Sequence, residues 1–193
     1  LANYWIHNEW LMVDGKKMSK SLGNFYTLRD ILSKGYDPMV IRYFYLGGHY
    51  RSQMNFTFSI LDNCKNSFER LKRIISDLHD DKKINKKYLE KFEKAMDDDL
   101  NTVDALQILW TLIRDEKAIG KIKTIKKIDE VLGLRLLDKI ELKIPEIIMK
   151  LIKDREKARR GKNWDESDKL RNEIQKKGFH IDDTPDGCKV TKN

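Results

Sequence analysis

From residue 58 to residue 79 the apolar side chains Ile60, Leu61, Cys64, Phe68, Leu71, Ile74, Ile75 and Leu78 recur mostly at steps of three and four. That spacing lines up one stripe of an α-helix, whereas a half-buried strand would alternate every second residue. The same period returns in Tyr88, Leu89, Phe92 and Met96 over 86–97, and in Val103, Leu106, Leu109, Trp110 and Ile113 over 102–119, with Thr102 as the expected cap. A shorter helix is predicted near 124–133, stopped by Gly133. Pro145 opens another through Ile147, Ile148, Leu151, Ile152 and Ala158 to Gly161, and Trp164–Lys177 forms the last, with Leu170 and Ile174, before Gly178. Helices with one buried stripe need a polar remainder, and 36% charged residues against 40% hydrophobic ones supply it. This balance argues against a parallel sheet buried on both faces, whose strands need near-continuous apolar runs. No run approaches the ~20 apolar residues of a membrane span. Periodic apolar residues argue against disorder. The expected class is mainly α.

The two ends differ. Residues 4–16 are predicted to form a short hairpin or strand-loop, with Ile6, Trp10, Leu11 and Val13 as strand formers and Asp14-Gly15 as the turn. Thr27 is the expected cap of a helix through Leu28, Ile31 and Leu32, ended by Lys34-Gly35. Asp37-Pro38 starts a second, capped by the Asp, whose Val40, Ile41, Tyr43, Phe44 and Leu46 nearly encircle it and predict burial. At the other end, residues 179–191 alternate weakly around a Pro185-Asp186-Gly187 turn and predict two short strands. Tyr4-Trp5-Ile6 looks like the middle of a strand and the first residue is Leu, so a piece of a longer protein is expected.

The 39 Lys+Arg and 31 Asp+Glu give a net charge of +8, which leaves a solvated surface and a polyanion partner both open. The two cysteines, Cys64 and Cys188, are too few for a disulfide framework or a four-thiolate zinc site and fit a reducing cytosolic compartment. Cys64, on an apolar helical stripe, is expected in the core.

Chemistry concentrates in Lys17-Met18-Ser19-Lys20-Ser21, within a polar, glycine-containing loop over residues 16–24. Ammonium groups on such a loop suit a triphosphate whose charge must be neutralised as its α-phosphorus is attacked. Small hydroxyl residues and Gly23 allow close backbone approach. An ordinary exposed lysine turn is the alternative reading of these five residues alone.

In its context, Lys17–Asn24 resembles the KMSKS signature of class I aminoacyl-tRNA synthetases, extended by Leu-Gly-Asn. The surroundings resemble the cysteinyl-tRNA synthetase family: Tyr4-Trp5-Ile6-His7-Asn8 before the loop, and Asn24-Phe25 and Leu28-Arg29-Asp30 after it. The likeness continues through His49-Tyr50-Arg51-Ser52, Asn55-Phe56, Ala95-Met96-Asp97-Asp98-Asp99-Leu100-Asn101-Thr102 and Ala105-Leu106. It closes with Arg155 to Lys162, Trp164, Asp168, Arg171 and Asp182-Asp183-Thr184-Pro185-Asp186-Gly187.

The resemblance implies three segments. Residues 1–57 would be the end of a catalytic domain with the signature loop and stem-contact helices. Residues 58–144 would be an antiparallel, DALR-like helical bundle on the tRNA anticodon stem, in which Gln107 replaces the Arg of the name-giving pattern. Residues 145–193 would be a small anticodon-reading domain of two helices and a β-hairpin. The family ligates cysteine to tRNA(Cys) through cysteinyl-adenylate, and the signature's second lysine, here Lys20, is the expected ATP contact, with Lys17 supporting it and Ser19 and Ser21 positioning the loop. Arg159, Asp168 and Asp183 stand where the family reads the anticodon. His7 and Asn8 are assigned no catalytic role, and Trp164 is expected to pack between the last two helices. The family's HIGH motif is not among these residues, and its zinc ligands would lie upstream, so no metal is expected in this chain and the chain alone is expected to be inactive. A monomeric, cytoplasmic protein without membrane contact is implied. A non-catalytic tRNA-binding paralogue or appended domain is the alternative.

Overall fold

Residues 2–138, 145–184 and 187–192 are described by the computed structural model, and they divide into two units, residues 1–139 and 140–193. Both are dominated by helices, as the apolar period predicts.

In the first unit, β1 (Leu11–Val13) turns at Asp14-Gly15 into β2 (Lys16–Lys17). The turn needs two left-handed residues, and Asp14 and Gly15 take φ of 50° and 71°, the combination that short hairpins favour. β1 also pairs in parallel with β3 (Met54–Phe56), setting Val13 beside Phe56, both buried. The three-residue β3 carries no periodicity and was not expected. Residues 2–10 form no strand: Tyr4, Trp5 and Ile6 stand exposed, because no partner strand pairs with them among the described residues.

Between β2 and β3 lie α1 (Leu28–Ser33) and α2 (Pro38–Leu46), each starting where expected. Thr27 Oγ1 accepts from the Asp30 N–H, and the Asp30 carboxylate accepts from the Thr27 N–H at 2.7 Å. This reciprocal cap satisfies two otherwise orphaned donors. Asp37 accepts from the Met39 N–H at 2.7 Å. In α2, Val40, Ile41 and Phe44 are buried, and Met39, Tyr43 and Leu46 are half-buried against the same core.

Then follow α3 (Phe58–Ser76), α4 (Lys86–Asp97), α5 (Thr102–Arg114) and α6 (Lys121–Leu132). Their inward stripes meet the sheet in one core, with Leu61, Leu71, Leu109, Leu112, Ile125 and Ile128 fully buried. Thr102 is not the cap of α5. Asn101 is, accepting from the Asp104 N–H at 3.1 Å. The helix also stops at Arg114 rather than 119. Asp115 there accepts from the Lys117 N–H at 3.0 Å and from the hydroxyl of Tyr88 on α4 at 2.8 Å. Gly120 enters α6 with φ of +74°, and a Cβ there would meet the Asn85 nitrogen at 2.7 Å, so two chain segments approach as only glycine permits.

In the second unit, α7 (Glu146–Arg160) and α8 (Trp164–Lys176) pack against an antiparallel hairpin of β4 (Phe179–Thr184) and β5 (Gly187–Lys192). Its separate core holds Ile148, Ile152, Ile174, Phe179 and Ile181. Residues 185 and 186 of the expected turn lie outside the described residues. Trp164 corrects an expectation. It is 58% exposed rather than packed between helices, because it occupies the first helical position, ahead of Ser167, where the buried face of α8 begins.

Candidate nucleotide and nucleic-acid sites

The lysine loop leaves the sheet at Lys17 and turns at once. Ser19 is extended, Lys20–Leu22 make one 3-10 turn, and Gly23 ends it at φ +66°. Met18, between the two lysines, is partly buried against the core and anchors the loop. Asn24 closes it: its Oδ1 accepts from the Ser19 N–H at 2.9 Å, and its Nδ2 donates to the Lys17 carbonyl at 3.1 Å. The hydroxyls of Ser19 and Ser21 are 2.8 Å apart and share a hydrogen bond.

Both lysines are exposed. Lys17 Nζ lies 5.2 Å from the centre of the Trp10 ring, and Lys20 Nζ lies 5.5 Å from that of Phe25. Such contacts at exposed sites are weak, about 0.5–1 kcal/mol. Among the described residues neither ammonium has a carboxylate within 4.0 Å. An arriving anion therefore displaces only a ring face, which makes the loop suited to phosphate.

A second polar cluster joins the turn after α2 to the elbow between α4 and α5. The Asp99 carboxylate accepts from the Tyr50 hydroxyl and from Arg51 Nη2 at 3.3 Å, and Arg51 Nε, which donates to the Tyr50 hydroxyl, stands 2.8 Å from the same carboxylate as an ion pair. The Asp99 carbonyl lies 2.9 Å from His49 Nε2. The Tyr50 hydrogen bond, followed by Arg51, holds the Asp99 carboxyl below the ordinary carboxylate value. Asp99 and Leu100 both take left-handed backbone, at φ 52° and 55°. Two such non-glycine residues in succession persist only where the surroundings hold them.

Outward from the core, α4 exposes Lys86, Lys87, Lys91 and Lys94, and α5 exposes Gln107. His7 is exposed and stacks on Trp5, centroids 6.5 Å apart, while Asn8 donates to the neighbouring Glu9 carbonyl. Cys64 is half-buried, and burial pushes its thiol pKa up. Among the described residues no group of three or more His, Cys, Asp or Glu side chains could hold a metal ion. Nor is any helix among them long and apolar enough to cross a membrane.

In the second unit the expected reading residues spread over three elements. Arg159 is half-buried in the last turn of α7, Asp168 is exposed on α8, and Asp183 lies near the end of β4. Trp164 stands one helical turn before Asp168 on α8, where an exposed ring can offer its face. Asn163 caps that helix by accepting from the Glu166 N–H at 3.3 Å. Sequence reasoning missed Asn24 and misplaced Trp164. For Asn24 the signal was present, since Asn closing a turn hydrogen-bonds nearby backbone.

Three family models match the chain in order. The model of the tRNA synthetases class I (C) catalytic domain matches residues 1–66, that of the DALR domain residues 91–137, and that of the cysteinyl-tRNA ligase anticodon binding domain residues 143–190. The cysteine–tRNA ligase of Chlamydia muridarum is 40% identical over 99% of this chain and 46% of its own length. That of Protochlamydia amoebophila is 38% identical over 99% of this chain and 44% of its own length. That of Chlamydia pneumoniae is 38% identical over 98% of this chain and 44% of its own length. The chain thus spans less than half the length of these curated relatives.

Proposed function

The chain belongs to the cysteine–tRNA ligase family, and from that premise we propose that it is the tRNA-binding, loop-bearing portion of an enzyme that joins cysteine to tRNA(Cys) with ATP. In this reading residues 1–57 end the catalytic domain, residues 58–144 hold the anticodon stem, and residues 145–193 read the anticodon. The observation that carries it is the lysine loop. Two exposed ammonium groups, with no carboxylate partner among the described residues, stand on a backbone pinned by Asn24 and Met18.

Adenylate formation attacks the α-phosphorus of ATP with the amino acid's carboxylate and expels pyrophosphate. Negative charge shifts toward the leaving oxygens in the transition state. Lys20, supported by Lys17, supplies positive charge there, while Ser19 and Ser21 hold the turn. The zinc that the family likeness implies would take its ligands from residues outside this chain.

On the nucleic-acid side, the exposed lysines of α4 contact backbone phosphates, which adds affinity and salt dependence but little sequence reading. Bases of a single-stranded loop expose their edges and faces. A carboxylate from Asp168 or Asp183 accepts from the ring and amino donors of guanine, Arg159 donates to cytosine's acceptors, and the Trp164 face stacks on a base. This chemistry suits a GCA anticodon. The intact enzyme works as a cytoplasmic monomer.

The test is ATP–pyrophosphate exchange by the intact protein. Lys20→Ala is expected to lower the rate by about 100-fold, the usual scale for one transition-state charge partner. The 193-residue chain by itself is expected to bind tRNA and catalyse no exchange. Unchanged exchange in Lys20→Ala would refute the role of the loop, and no tRNA binding by the chain would refute the role of the bundle.

A further inference from the structure

We propose that Asn24 is the positioning residue of the lysine loop, setting the backbone from which Lys17 and Lys20 reach the phosphates; this rests on the reading of the loop given above. Apart from the Ser19–Ser21 hydroxyl bond at its tip, the loop has little else to order it. Its internal backbone bonds, from the Leu22 N–H to the Ser19 carbonyl and from the Gly23 N–H to the Lys20 carbonyl, are 3.3 and 3.2 Å long. Strand pairing ends at Lys17. The two Asn24 bonds, in contrast, span five and seven residues and cross the mouth of the loop. They grip Lys17 and Ser19 on either side of Met18, which is itself held against the core. The run Lys17–Ser19 is therefore fixed at three consecutive residues, and Lys20 starts from a fixed point.

The tips remain free, since each ammonium only leans on an aromatic ring. A fixed stem with an exposed cation suits charge that appears late in a reaction, because interactions made chiefly in the transition state raise the rate rather than ground-state binding. An amide is required at position 24. It accepts from one backbone group and donates to another, and a carboxylate would lose the donor and add negative charge beside the phosphate site.

The experiment uses the intact protein with Asn24→Ala and Asn24→Asp. In Asn24→Ala the Ser19 amide is expected to exchange its hydrogen faster, and kcat for ATP–pyrophosphate exchange to fall about tenfold or more, as loss of two hydrogen bonds allows. KM for ATP is expected to stay within about threefold. Asn24→Asp keeps the acceptor for the Ser19 N–H, so its amide protection should lie nearer the wild type while kcat remains reduced. Equal kcat in wild type and Asn24→Ala overturns the inference. So does a loss carried only in KM, or a fall in kcat with Ser19 exchange unchanged. A global loss of structure in Asn24→Ala leaves the decision to Asn24→Asp, where wild-type kcat overturns the inference. An intact wild type that catalyses no exchange overturns the proposed function itself, and this inference with it.

Discussion

Replacing Trp164 by alanine separates stacking from electrostatics in the proposed tRNA binding. The ring is 58% exposed at the first position of α8, so little of the second unit's core depends on it. Base–aromatic stacking is worth ~1–3 kcal/mol by alanine substitution. A lost stack therefore raises Kd by roughly 5- to 150-fold. The assay is fluorescence anisotropy of a labelled RNA hairpin carrying GCA in its loop, titrated with the chain at several salt concentrations. Stacking releases no counterions, so the slope of log Kd against log salt should match the wild type. Lys91→Ala, which removes one of the phosphate contacts proposed for α4, should lower that slope by about one. Trp164→Phe should recover most of the affinity, and the melting temperature should barely move. A Kd within about twofold of wild type, or a loss that vanishes at high salt, would refute the reasoning, since stacking strength does not follow the counterion term.

Other outcomes follow from the fold. Leu109 is fully buried, so Leu109→Ala should cost ~3–5 kcal/mol; thermal unfolding should begin roughly 10 °C lower, and an unchanged melt would contradict the core. Asn101→Ala should destabilise α5 by about 1 kcal/mol, measurable by urea unfolding, whereas Thr102→Ala should cost less. Acid should weaken the first unit in a defined window. The carboxyls of Asp30, Asp81, Asp99 and Asp115 lie below their ordinary value, chiefly through hydrogen bonds from Thr27, the Gly120 N–H, Tyr50 and Tyr88 respectively. Their contribution is complete above the unfolded value of about 3.9 and is lost as pH falls through the lower folded values. Melting temperature should therefore hold from neutral pH to about pH 5 and drop below about pH 4, and Asp99→Asn should flatten part of that drop.

What the chain's order of residues determined by itself was the part governed by local physics. Helix period, Thr27 and Asp37 as caps, the Asp14-Gly15 turn and the lysine signature each depend on neighbours a few residues away, and each stands where the sequence placed it. The likeness to the cysteine–tRNA ligases was legible for the same reason, because its motifs are contiguous runs. Tertiary structure decided what depends on distant partners. β3 exists because β1 lies beside it. α5 ends at Arg114 where Tyr88, 27 residues earlier, takes Asp115. Trp164 faces solvent because the buried face of α8 starts only at Ser167. Free-energy differences between a paired and an unpaired strand, or a capped and a frayed helix end, are about 1 kcal/mol. A single long-range contact supplies that much, and residue order does not show which contact will form.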